Sequence, residues 1–101
     1  METMLFAVPF FHSPGECPRL HKTQMEETVR RLSPESLSSR GIRLVEGYVD
    51  RLCLEPTDKA HFSYFLFEAE HERQIRDLFE PNHVEIRALD RFSDLRRTNT
   101  G

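Results

Sequence analysis

No complete catalytic motif stands in this sequence, nor an internal repeat, a low-complexity segment or a long apolar run. The longest apolar stretch near the N-terminus, Met4–Phe11, is too short to cross a bilayer as a helix. It carries neither the basic leader nor the small-residue cleavage site of a signal peptide, so the reading is a cytoplasmic protein with no membrane partner. An excess of positive charge is also lacking. The 14 Lys and Arg stand against 17 Asp and Glu, a net of −3, which argues against a broad basic surface and so against a nucleic-acid partner. Arg30-Arg31 and Arg96-Arg97 are isolated pairs and make no nucleic-acid groove. Cysteine is scarce, and two cysteines in a reducing compartment read as thiols rather than a disulfide.

What is present suits one core. A chain of 101 residues, 38% apolar and with eight Phe, supports a single domain over residues 1–95, with 96–101 as a polar, frayed tail. Met4–Phe11 is apolar at every position and reads as a strand buried on both faces, ending in the turn signal His12-Ser13-Pro14-Gly15. Leu20–Leu32 spaces Met25, Val29 and Leu32 as an amphipathic helix; Pro34–Arg40 adds a short helix that Gly41 stops. Ile42–Leu54 is rich in branched and aromatic residues but half polar, as an edge strand would be. Glu55–Lys59 is a hairpin loop. Phe62–Ala69 places Phe62, Tyr64 and Leu66 on one face and Phe65, Phe67 and Ala69 on the other, which marks a central strand. Glu70–Glu80 brings Ile75, Leu78 and Phe79 onto one helix face, and Val84–Phe92 alternates as a second edge strand.

The order strand, helix, strand, strand, helix, strand is that of an α+β, ferredoxin-like βαββαβ fold with a four-stranded antiparallel sheet. Helices cover one face of such a sheet only. Leu5, Ala7 and Phe11, with one alternating set of the third strand, leave an apolar patch on the other face. A second copy packed sheet to sheet, giving a homodimer of the dimeric α+β barrel type, is the simplest cover.

The same topology carries His12, Cys17, His21, Cys53, His61 and His83 to one end of the molecule, and only His71 to the other. Imidazole and thiolate are the usual ligands of nickel and zinc, so His12, Cys17, His21, His61 and His83 are the candidate metal residues. Their spacing matches no known finger or ribbon. Solvated histidines are the competing reading, and Cys53 also suits a half-buried small hydrophobe. Cys17 ahead of a helix N-terminus has the position of a nucleophile, with His12 or His21 as its base. Tyr48 and Tyr64 suit core packing or the orientation of a ligand.

From Gly41 onward, Gly41-Ile42-Arg43, Val45-Glu46, Tyr48-Val49, Tyr64, Phe67, Ala69, Glu72 and Ile75-Arg76 resemble a family of small ferredoxin-like bacterial domains that includes a nickel-binding member. The resemblance covers positions 41 to 92, about half the chain. The hairpin at 51–61 and Phe65, where that family often has Cys, depart from it. What it implies is the fold, a dimer and support for a metal, with no ligands carried over. The function read from the sequence is therefore a small homodimeric binding protein for a transition-metal ion, nickel or zinc, or for a small ligand. The alternative is a cofactor-free monooxygenase or isomerase of the same architecture.

Overall fold

A computed structural model describes residues 2–12, 21–50 and 61–93. Seven elements follow one another: β1 (Met4–His12), α1 (Lys22–Arg31), α2 (Pro34–Ser39), β2 (Arg43–Val49), β3 (His61–Ala69), α3 (Glu72–Phe79) and β4 (Arg87–Leu89). The strands form one antiparallel sheet in the order β2-β3-β1-β4, so the apolar strands are central and the half-polar ones are edges. The fold is α+β, with an open four-stranded sheet and three helices in ferredoxin-like order.

Alternation along β1 and β3 divides the sheet into two faces. Phe6, Val8, Phe67 and Ala69 point to the helices and are buried with Ile75, Leu78 and Phe79 of α3, Leu37 of α2 and Ile42. Phe10 joins this core, its ring centroid 5.6 Å from that of Phe79 and 6.0 Å from that of Phe65. The opposite face carries Leu5, Ala7, Pro9 and Phe11 of β1, paired in turn with Glu68, Leu66, Tyr64 and Phe62 of β3.

A bulge in β2 sets the rest. Arg43 and Leu44 pair with Glu68 and Phe67, but Glu46 pairs with Leu66, so Val45 is an extra residue. Inserting one residue moves everything beyond it to the other face. Glu46 and Tyr48 consequently stand on the open face, beside Leu66 and Tyr64. Gly47 turns the other way, opposite Phe65, whose Cδ1 would lie 2.8 Å from any Cβ built there.

The helix ends explain the connections. Ser33 caps α2, its Oγ accepting from Ser36 N at 3.2 Å, with Pro34 in the first turn. The other end of α2 closes in a Schellman motif. Ile42 N donates to Leu37 O at 2.9 Å, Gly41 N donates to Ser38 O at 3.1 Å, and Gly41 takes the left-handed conformation at φ 71°. Gln74 clips this turn to α3, accepting from His71 N at 2.8 Å and donating to Arg40 O at 2.9 Å.

Three expectations change. The first helix is Lys22–Arg31, and none of its residues is buried; Val29 keeps 64% of its surface. With only Met25 and Val29 as apolar residues, this short helix packs on α2 instead of docking on the sheet. The last strand is Arg87–Leu89, not Val84–Phe92. Pro9 has no N–H to offer and stands two residues beyond the last β1–β4 pair, Ala7 with Arg87, so the ladder stops below it. The first strand is fully buried on its helix-facing side at Phe6 and Val8, whereas on the open side Ala7 is buried, Leu5 and Pro9 are half-buried and Phe11 is exposed. The hairpin at 55–59 and the tail at 96–101 lie outside the described residues, and no described helix is long and apolar enough to cross a membrane.

Candidate functional site

The strand directions bring the end of β1, the end of β2 and the start of β3 to one end of the sheet, here called the upper end. There His12, half-buried, and His61 are directly opposed as the last pair of the β1–β3 ladder. His21 stands at the N-terminus of α1, and His83 is exposed in the connection from α3 to β4, on the rim of a cavity of about 590 Å³ with Arg76, Glu80 and Asn82. His71 begins α3 at the opposite end, as the topology requires. Cys17 and Cys53 lie outside the described residues. Thus the structure brings together His12 and His61 by register. Among the described residues, no group of three or more His, Cys, Asp and Glu converges as a metal site would need.

The open face of the sheet carries the more developed arrangement. Phe11 and Phe62 lie with ring centroids 5.0 Å apart, Phe62 and Tyr64 6.2 Å apart, and Tyr64 stacks on Tyr48 at 5.4 Å with planes 13° from parallel. These four rings form a continuous aromatic ladder across β1, β3 and β2. It is open to solvent: Phe11 keeps 74% of its surface, Tyr48 50% and Phe62 39%. Cross-strand aromatic pairs stabilise a sheet modestly, so exposure on this scale needs a further reason.

A polar pair borders the ladder. The Tyr48 hydroxyl donates to Glu46 Oε2 at 2.5 Å, and this bond to the carboxylate, with the carboxylate's charge, raises the phenol above its ordinary range. Since the tyrosine proton is committed to Glu46, the pair turns lone pairs outward and suits a ligand that brings N–H or O–H donors. Lower on the same face, Arg43 holds Glu68 through two hydrogen bonds, at 3.3 and 3.2 Å, which lower the Glu68 carboxyl.

The larger cavity, about 640 Å³, lies elsewhere, between α2 and the lower end of β2, and is lined by Leu32, Pro34, Leu37, Ile42 and Leu44 with Arg43 and Glu68 at its rim. Its two charged groups, Arg43 and Glu68, are already bonded to each other, and the rest of its lining is mainly apolar. Volume alone does not make it the site.

Reading the sequence identified the patch but not the ladder. The available signal was Phe62, Tyr64 and Leu66 alternating on β3; the missing one was the bulge that turns Tyr48 toward them. Compared with known proteins, the chain matches no family model, no curated protein and no solved structure.

Proposed function

We propose that this chain is a small homodimeric binding protein in which two copies face each other through their open sheet faces, in the manner of a dimeric α+β barrel. A planar organic ligand is held against the aromatic ladder. The observation that carries this reading is the solvent-facing run of four adjoining rings, stacked from Phe62 through Tyr64 to Tyr48 and tilted between Phe62 and Phe11, on the face opposite the helices. At about 200 Å² per aromatic side chain, the exposure of Phe11, Phe62 and Tyr48 leaves on the order of 300 Å² of largely apolar surface on one face, to which exposed Leu89 adds. That is as large as the largest patch of a typical monomer, and partly exposed Leu5, Pro9, Tyr64 and Leu66 extend it. The ligand is a flat ring system with a donor at its edge, stacked on Phe62 or Tyr64 and hydrogen-bonded to the Tyr48–Glu46 pair.

The chain has no Trp, and both of its tyrosines belong to the ladder, so intrinsic fluorescence reports on the site directly. Titration with 2-naphthol, a planar ring carrying one hydroxyl donor, should quench tyrosine emission saturably in the native protein and far less in Phe62→Ala. Linear quenching of equal slope in both proteins would remove the ligand. Sedimentation at micromolar concentration should give twice 11.9 kDa.

A second reading, transition-metal binding, is supported by the opposition of His12 and His61 on the last rung, with nickel or zinc as the ion. Equilibrium dialysis of untagged protein should show uptake that His12→Ala and His61→Ala abolish and His71→Ala leaves unchanged. Uptake insensitive to the first two would exclude this site.

A further inference from the structure

We infer that the two copies meet with their strands parallel, about a twofold axis running along the strands, so that Glu46 of each copy faces Arg87 of the other. This rests on the homodimer reading and specifies its register. Strand pairing places Glu46, Leu66, Ala7 and Arg87 side by side on a single rung of the open face. An acid stands at one edge of that rung, a base at the other, and the smallest side chain of the face lies between them. Rotation about an axis along the strands, between β3 and β1, lays β2 over β4 and β3 over β1 without changing the level of any rung. Glu46 then meets Arg87 of the second copy on both flanks, and Leu66 falls on Ala7, large on small.

The next rungs follow the same rule. Tyr64 lies over Pro9, and Phe62 over Phe11. Sheets packed face to face stand about 10 Å apart, a gap that Glu and Arg span together. Glu46 and Arg87 are both exposed. Arg87, already bonded to Glu85 Oε1 at 3.1 Å, has further donors to share with a second carboxylate. The other twofold, lying across the strands and centred on this rung, sets Glu46 on Glu46 and Arg87 on Arg87, and like charges in contact oppose association. A consequence for the site follows. With the axis along the strands, both aromatic ladders come to the same end of the assembly and face each other, forming one aromatic-walled chamber per pair of chains.

Charge reversal tests the register. Glu46→Arg and Arg87→Glu should each raise the dimer dissociation constant about tenfold or more, because each sets two pairs of like charges together. The double variant Glu46→Arg/Arg87→Glu should restore the native value. An equimolar mixture of the two single variants should form a heterodimer of native affinity. Circular dichroism of each variant at low concentration checks that the monomer still folds, and Glu46→Gln, which removes charge without reversing it, should give an intermediate loss. A native dimer indifferent to both reversals, or weakened by them but not restored by the double variant, overturns the register and leaves the homodimer standing. A native protein that sediments as a monomer overturns both.

Discussion

On the helix-covered face of the sheet Phe67 is wholly buried, whereas on the open face Phe11, in the neighbouring strand, keeps 74% of its surface. Both are phenylalanines in central strands, and both have aromatic neighbours. The difference lies in what stands above them. Phe67 has α3 packed on it through Phe79, at a centroid distance of 6.0 Å, and Phe11 has, among the described residues, only the rings of its own layer. One face of the sheet therefore holds the molecule together, and the other is free to hold something else.

Four experiments would break or sharpen that contrast. The largest effect belongs to Phe67→Ala, which should cost about 3–5 kcal/mol in urea denaturation at any protein concentration, since the hole it leaves is enclosed. Phe11→Ala should cost under about 1 kcal/mol in dilute protein and progressively more as concentration rises, because its surface is covered only by association. Equal, concentration-independent losses would mean that the two faces do the same job.

Next comes the clip behind the buried face. Gly41→Ala should lower stability by about 1–2 kcal/mol in thermal unfolding, because a side chain at φ 71° is strained. Its Cβ would also stand 2.9 Å from Gln74 Nε2 and displace the amide that ties α3 to α2. A neutral result would show that this turn does not fix the helices over the sheet.

The open face supplies the smaller, pH-dependent effects. Arg43 lowers the Glu68 carboxyl, so the stabilisation is complete above the ordinary carboxylate range and is lost as pH falls through the lowered value. Acid denaturation of Arg43→Ala should accordingly begin at higher pH than in the native protein. Tyr48 has the opposite sign. Its raised phenol favours the fold below the ordinary tyrosine range, and the benefit disappears as pH climbs through the raised value. Phenolate absorbance should therefore develop at lower pH in Glu46→Gln than in the native chain, and coincident curves would mean that the Tyr48–Glu46 bond does not persist in solution.

Much of the architecture could be read from the residues. Alternation of Phe62, Tyr64 and Leu66 with Phe65, Phe67 and Ala69 identified a central strand, and the mixed polarity of the second and fourth strands identified the edges. The ladder was not legible, because Tyr48 reaches the open face only through the extra residue Val45; in unbroken register it would point at the helices. The short β4 was illegible for a related reason, since Val84–Phe92 alternates well and the limit comes from Pro9 in another strand. Of the candidate site, topology anticipated the meeting of His12 and His61 at one end. It could not rank them against four rings whose neighbours depend on a bulge.

The first helix has a consequence for the order in which the molecule opens. Ten residues form a marginal helix in water, and α1 contributes no buried side chain. Its firmest tie is Arg31, which donates to the carbonyls of Phe79 and Glu80 at the end of α3 and to Glu27 within α1. In hydrogen–deuterium exchange the α1 amides should therefore exchange through a local opening, while those of β1, β3 and α3 wait for global unfolding. The fold would then contain two cooperative units that Arg31 helps to join, and Arg31→Ala should accelerate exchange in α1 while leaving the sheet's slowest amides nearly unchanged.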